Sequence, residues 1–245
     1  MEVCYLYAIV QTPEKAAALL SEIGPGLGEQ PLRLVVHNAL AAVISDYPIA
    51  AQKQLRTPTE DELWRHERLI EGFMRHLPTL PVRYGTTLPD EAKVAQLLAT
   101  RELDFRADLI YVTGRVEMGL RVLWDPPATE EDVVTAGAPP TSGRHYLQQQ
   151  LQKHKQQQAL RIQGEAVAQA LNGALQPLVF EHQSRILLTE RLLLSGAYLV
   201  ERRFVEAFQG QVALLEETYP ELAFLVTGPW PAYHFVQNSQ QIEKL

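Results

Sequence analysis

The stretch PPATEEDVVTAGAPPTS, residues 126–142, constrains this chain more than any other. Its proline pairs, Pro126 with Pro127 and Pro139 with Pro140, each fix φ and remove backbone donors, so neither a helix nor a central strand runs through it. Proline, alanine, threonine and glycine dominate here, the composition of a domain boundary. With 245 residues and 46% hydrophobic content, there is enough chain to bury two modest cores. The expected organisation is an N-terminal domain over 1–125, a proline-rich linker over 126–142, a C-terminal α+β domain over 143–228 and an extended tail over 229–245.

The first half alternates elements regularly. Val3 to Val10 reads as a buried strand, and Thr12 followed by Pro13 predicts a capped helix whose apolar face is Ala16, Leu19, Leu20 and Ile23. Leu32–His37 and Ala39–Ser45 are β-prone runs separated so closely that a tight hairpin at His37 and Asn38 joins them. Thr59 with Glu62 forms a capping box that opens a helix with inward positions Leu63, His66, Ile70, Phe73 and Leu77. Pro81–Thr87 suits another strand, and Asp90 opens a helical segment to about Leu98. Strand, helix, strand, strand, helix, strand is a ferredoxin-like order, with helices on one face of an antiparallel sheet. Arg115–Trp124 alternates cleanly and is expected to close this first domain as an extra strand.

After the linker, Tyr146 to about Leu175 predicts a long glutamine-rich helix whose apolar stripe drifts or breaks between Gln156 and Gly164. Phe180–Thr189 and Leu192–Glu201 read as strands. Phe204, Phe208, Val212, Leu215 and Tyr219 recur at helical spacing, and Leu222–Val226 supplies a last strand. The second half is therefore also α+β. Beyond Gly228, Pro229 and Pro231 force an extended tail, and Trp230, Tyr233 and Phe235 give it large apolar area to dock in a groove. That groove belongs either to this chain or to a partner.

Several function classes lose support. The net charge of −7 and the lack of a lysine/arginine block leave no footprint for nucleic acid. Cys4 is the single cysteine and suits a buried strand position in a reducing compartment. No basic segment leads into an apolar one near Met1, and Leu192–Val200 is far shorter than a membrane helix, so a cytoplasmic, non-membrane protein is expected. No P-loop, nucleophile elbow, dinucleotide fingerprint or H-E-x-x-H motif occurs, and the seven histidines form no metal-spaced pair. No cofactor and no metal are expected. His66, on an inward helix position, requires a partner, and Arg83 and Glu117 are the candidates. Such a network is either structural scaffolding or a binding or catalytic site in a pocket between the domains.

The closing run GPWPAYHF resembles the C-terminal signature of the gas vesicle protein GvpF/GvpL family. YLYAIV at Tyr5, LAAVISDYP at Leu40, LPVRYGT at Leu80, GRVEMGLRVLWD at Gly114, GRHYL at Gly143 and AYLV at Ala197 agree with that family in the same order. Ala232 departs from it, standing where many relatives have a further proline. The compact length and the tail lean toward the F-type branch. The resemblance implies two modified ferredoxin-like domains and a non-enzymatic role as a minor shell-associated component or assembly factor. It also implies a cytoplasmic, gas-vesicle-associated protein that binds the small hydrophobic shell subunit of the GvpA type, with other gas vesicle accessory proteins as further partners. Trp230, Tyr233 and Phe235 are the residues expected to form or gate the contact. The alternative is a small-molecule-binding or catalytic protein built around His66, Arg83 and Glu117, and fold alone does not choose between them.

Overall fold

The computed structural model describes residues 2–124, 143–186, 192–236 and 242, apart from the side chains of 143–149, 153, 156, 157 and 160. The linker expected at 126–142 lies outside the described residues. The chain forms two compact units, Met1–Glu117 with Pro229–Leu245, and Met118–Gly228.

In the first unit β1 (Glu2–Gln11) is central and buried on both faces from Val3 to Val10, which is why its sequence is a continuous apolar run instead of an alternation. It pairs antiparallel with β3 (Leu40–Pro48) and with the short β4 (Thr79–Pro81), while β2 (Arg33–His37) pairs with β3, giving the order β2-β3-β1-β4. The β2–β3 hairpin turns at Asn38, which takes a left-handed φ of 53°.

Helix α1 (Pro13–Ile23) starts on proline as expected, but Thr12 does not cap it: its φ is 57° and its side chain makes no cap bond. Helix α2 (Glu60–Met74) has the full capping box, Thr59 N–H donating to Glu62 Oε2 at 2.8 Å and Glu62 N–H to Thr59 Oγ1 at 3.3 Å. Its buried face is His66, Leu69, Ile70 and Phe73, whereas Leu63, expected inward, is 40% exposed because the stripe turns toward Leu69.

The strand expected over Pro81–Thr87 is instead a turn between two short strands. Gly85 takes a φ of 85°, and β5 (Thr87–Leu88) then resumes pairing with β1. Helix α3 (Glu91–Thr100) opens on Asp90, whose carboxylate accepts from Lys93 N–H at 2.8 Å. Helix α4 (Glu102–Val112) was not visible in the pattern. Phe105, Leu109 and Val112 are buried, yet Leu103 is 83% and Ile110 70% exposed, so apolar residues lie on two faces and no single stripe emerges.

Strand β6 (Arg115–Trp124) corrects the reading that it closes the first sheet. It pairs within a second sheet of order β7-β8-β6-β9. Alternation marks a strand with distinct faces but carries no information on which sheet receives it. Helix α5 (Gly143–Leu175) is continuous among its described residues, with burial on Ala168, Leu171 and Leu175 while Leu151 and Ile162 stay exposed. β7 (Glu181–Ile186) and β8 (Leu192–Glu201) pair antiparallel, α6 (Val205–Thr218) buries Phe208, Val212 and Leu215, and β9 (Leu222–Trp230) forms the other edge. β9 runs four residues past its expected end at Val226, through Gly228 and Pro229, because an edge strand tolerates a residue without a donor.

Both units therefore follow strand, helix, strand, strand, helix, strand with the same spatial order of strands, and the protein is α+β with two modified ferredoxin-like domains. Among the described residues no helix is long and apolar enough to cross a membrane.

Candidate functional site

The residues singled out by the sequence gather in the first unit around α2 and the C-terminal segment. Trp230 ends β9 half-buried, and Pro231, Ala232, Phe235 and Val236 are then buried, with Tyr233 packed against the core formed by β1, β3 and α2. The segment makes its own tight turns, Tyr233 N–H donating to Pro231 O at 2.8 Å and Phe235 N–H to Ala232 O at 3.2 Å. Two carboxylates tether it. The Tyr233 hydroxyl donates to Glu67 Oε1 at 2.9 Å, and His234 gives Glu117 two bonds, from its backbone N–H at 2.9 Å and from Nδ1 at 2.6 Å. An ionised carboxylate only accepts, so Nδ1 of His234 carries a proton.

Burial raises the Glu67 carboxyl above its usual range, with the Tyr233 hydroxyl pulling it partly back. Burial, then the Glu67 charge, pushes the Tyr233 phenol well above its ordinary value, so this hydroxyl stays a donor at any physiological pH.

Beneath α2 lies a buried cluster of aromatic and polar groups. His66 Nε2 faces the Val82 carbonyl at 2.9 Å, which makes that nitrogen the protonated one. Nδ1 therefore accepts, and the Tyr5 hydroxyl donates to it at 3.0 Å while itself accepting from Gly85 N–H at 3.0 Å. Burial lowers the His66 pKa to about 4, so the ring is neutral at pH 7. Tyr7, two residues along the same face of β1, bonds Ser45 Oγ at 2.9 Å and accepts from Leu27 N–H at 2.7 Å. The Tyr5 and Tyr7 rings lie 4.7 Å apart, and His66 stands 5.7 and 5.6 Å from them.

The bonds described for His66 go to Tyr5 and Val82, those for Glu117 go to His234, and Arg83 is exposed on the turn that carries Gly85. Tyr5, Glu67 and His234 were not singled out from the sequence. The signal for Tyr5 was two tyrosines at i, i+2 in an otherwise apolar strand, each needing a partner for its hydroxyl. Glu67 reads as one more surface acid of a charged helix, and only the docked tail distinguishes it. Cys4 is buried and burial pushes its thiol up, which leaves it unreactive. Among the described residues no group of three or more acidic, histidine or cysteine side chains could hold a metal.

A family model described as gas vesicle synthesis protein GvpL/GvpF matches residues 3–237. The chain belongs to the GvpL/GvpF family. The match takes in both sheets and the tethered C-terminal segment, and it gives the chain a gas-vesicle-related role. Gas vesicle protein L of Streptomyces sp. (strain CB03234) is 28% identical, with 97% of this chain and 94% of that protein covered. Gas vesicle protein F of the same strain is 27% identical, over 95% and 99%. In fold, the chain is similar to the crystal structure of GvpF from Anabaena sp. PCC7120, with a TM-score of 0.72, 21% identity and 97% of each chain covered. It is also similar to GvpF from Microcystis aeruginosa, with a TM-score of 0.66, 16% identity and 96% and 99% covered.

Proposed function

We propose that the chain acts without catalysis, as a minor shell-associated component or assembly factor that binds the small hydrophobic shell subunit while gas vesicles form. A subunit that builds a water-excluding wall exposes large apolar surface and strand edges before it assembles, and such surfaces aggregate unless covered. One observation carries the reading. Beyond Trp230, the last residue of β9, the aromatic C-terminal strap buries Phe235 and Val236 and packs Tyr233 on the first unit, and among its described residues Tyr233 and His234 tie it there through two carboxylates. A segment held in this way is a cover that an incoming apolar segment can displace, with Trp230, only half-buried, as the first point of contact.

Co-expression with the major shell subunit, followed by co-purification, tests this. The intact chain should capture the subunit. Trp230→Ala and a chain ending at Gly228 should capture less while keeping native circular dichroism. Undiminished capture by both variants would move the contact away from the strap, and no capture by the intact chain would sink the reading. Other gas vesicle accessory proteins are further proposed partners, and the same experiment with each as bait tests them.

A further inference from the structure

A second surface of the first unit is built to receive something, and the strap does not line it. Between the end of α1, the glycine-containing turn that follows, and the outer side of α2 lies a groove of about 500 Å3. Ile23 and Pro25 form one wall, and Trp64 and Leu69 form the other. Leu69 is buried at the floor, whereas Trp64 remains 48% exposed with its indole N–H turned to Glu60 Oε1 at 3.3 Å.

The walls are closely packed. The two helices approach so closely at Gly72 that a Cβ there would stand 3.0 Å from Ile23. The turn is pinned from below, since Leu27 N–H donates to the Tyr7 hydroxyl at 2.7 Å and a Cβ on Gly26 would meet that oxygen at 2.4 Å. A preformed slot with closely packed walls and a mixed apolar and charged lining loses little ordering entropy when it is filled.

The charges along the groove are uneven. Asp61 belongs to the acidic first turn of α2, where the helix dipole favours it. Arg65 pairs with the exposed Glu29 at 2.7 Å. Arg68 lines the groove in mid-helix, where the dipole gives it no such role, and it has no ion-pair or hydrogen-bond partner among the described residues. An unpaired guanidinium beside an exposed indole and a buried leucine complements a carboxylate next to an apolar side chain.

We propose that this groove docks a helical segment of a partner protein, one that inserts a leucine-class side chain between Ile23, Trp64 and Leu69 and sets an Asp or Glu, one turn away, on Arg68. On a helix, positions i and i+4 share a face, so one amphipathic turn supplies both groups. Glu67, the strap's anchor, lies about 100° from Arg68 and about 60° from Trp64 around α2, so the strap's tether sits beside the groove and is not among the residues that line it.

The test uses the full chain, 15N-labelled, titrated with short amphipathic helical peptides. One carries Leu and Glu at i, i+4, a second replaces Glu with Lys, and a third replaces Leu with Ser. The Trp64 indole resonance, assigned by its loss in Trp64→Phe, should move with the first peptide and respond about tenfold more weakly to the other two. Arg68→Glu should reverse the charge preference toward the Lys peptide while leaving the rest of the amide spectrum in place. An unmoved Trp64 resonance, or a charge preference that Arg68→Glu leaves unchanged, would overturn the proposal, as would a concentration-dependent shift without peptide, which would place a second copy of the chain in the groove. None of these outcomes depends on capture of the shell subunit by the strap.

Discussion

The two units share one strand order but fill their centres differently. In the first, β1 brings Tyr5 and Tyr7 under α2, where hydroxyls, a neutral imidazole and backbone groups satisfy one another in a buried cluster. In the second, the described polar contacts centre on a single tyrosine. Tyr198 donates to Asn172 at 2.7 Å, Asn172 donates to Ser184 at 3.1 Å, and the Tyr198 ring stacks on His182 and tilts against Phe208. The helices differ in the same sense, since α2 has a reciprocal capping box whereas α6 starts at Phe204 with no side-chain cap. The same strand order is therefore compatible with two different arrangements of buried polar groups. The buried polar cluster adds directional constraints to the first unit, the one that carries both the strap and the groove.

Removing one equivalent core aromatic from each unit should separate the two most strongly. Phe73→Ala and Phe208→Ala should each cost about 3–5 kcal/mol, because both rings are fully buried. Hydrogen exchange should show loss of protection confined to β1 and β3 in the first variant and to β8 in the second. Loss throughout the chain from either substitution would mean that the units do not open separately.

Acid should distinguish the units next. His66 has a folded pKa of about 4, below its unfolded value near 6.5, so the unfolded chain binds more protons between them. Its contribution is whole above about pH 6.5 and is lost as pH falls toward 4, amounting to roughly 3 kcal/mol at about 1.4 kcal/mol per pH unit. Glu67 acts in the opposite direction: its raised pKa costs stability at neutral pH, and that cost is relieved on acidification. Urea midpoints from pH 7.5 to 4.5 should therefore fall in the wild type and fall less steeply in His66→Gln. An unchanged slope in the variant would show that another group sets the acid sensitivity.

Smaller effects separate the tyrosines. Tyr233→Phe leaves the partly buried Glu67 carboxylate without its donor and should cost about 1.5–3 kcal/mol, read as faster proteolytic removal of the strap. Tyr198→Phe breaks a neutral bond and should cost about 1 kcal/mol. Equal losses would mean that the strap's tether is no stronger than an ordinary core hydrogen bond. Smallest, Thr59→Ala should remove about 1 kcal/mol through the capping box and speed exchange in the first turn of α2, bringing it nearer to the uncapped start of α6.

Much of this was legible in the chain itself. The capping box at Thr59 and Glu62, the hairpin at Asn38 and the burial of Phe208, Val212 and Leu215 all follow from local chemistry and period, and they stand where the pattern puts them. Helix α4 escaped because Leu103 and Ile110 face solvent and blur the stripe of Phe105, Leu109 and Val112. The polar readings stopped short for a related reason. His66 announces that it needs partners, but Tyr5 is 61 residues away and Glu117 turns out to hold a residue of the strap instead.

Local chemistry and periodicity alone say where α2 and α3 begin, which strands alternate, which residues demand burial and which family the chain belongs to. That β6 opens the second sheet, that Glu67 and Glu117 anchor the strap, and that Ile23, Trp64 and Arg68 share a groove emerges from packing alone. Pairing and side-chain partnership are long-range events. The free energy that selects them comes from desolvating residues far apart in the chain, and no window of neighbouring residues contains it.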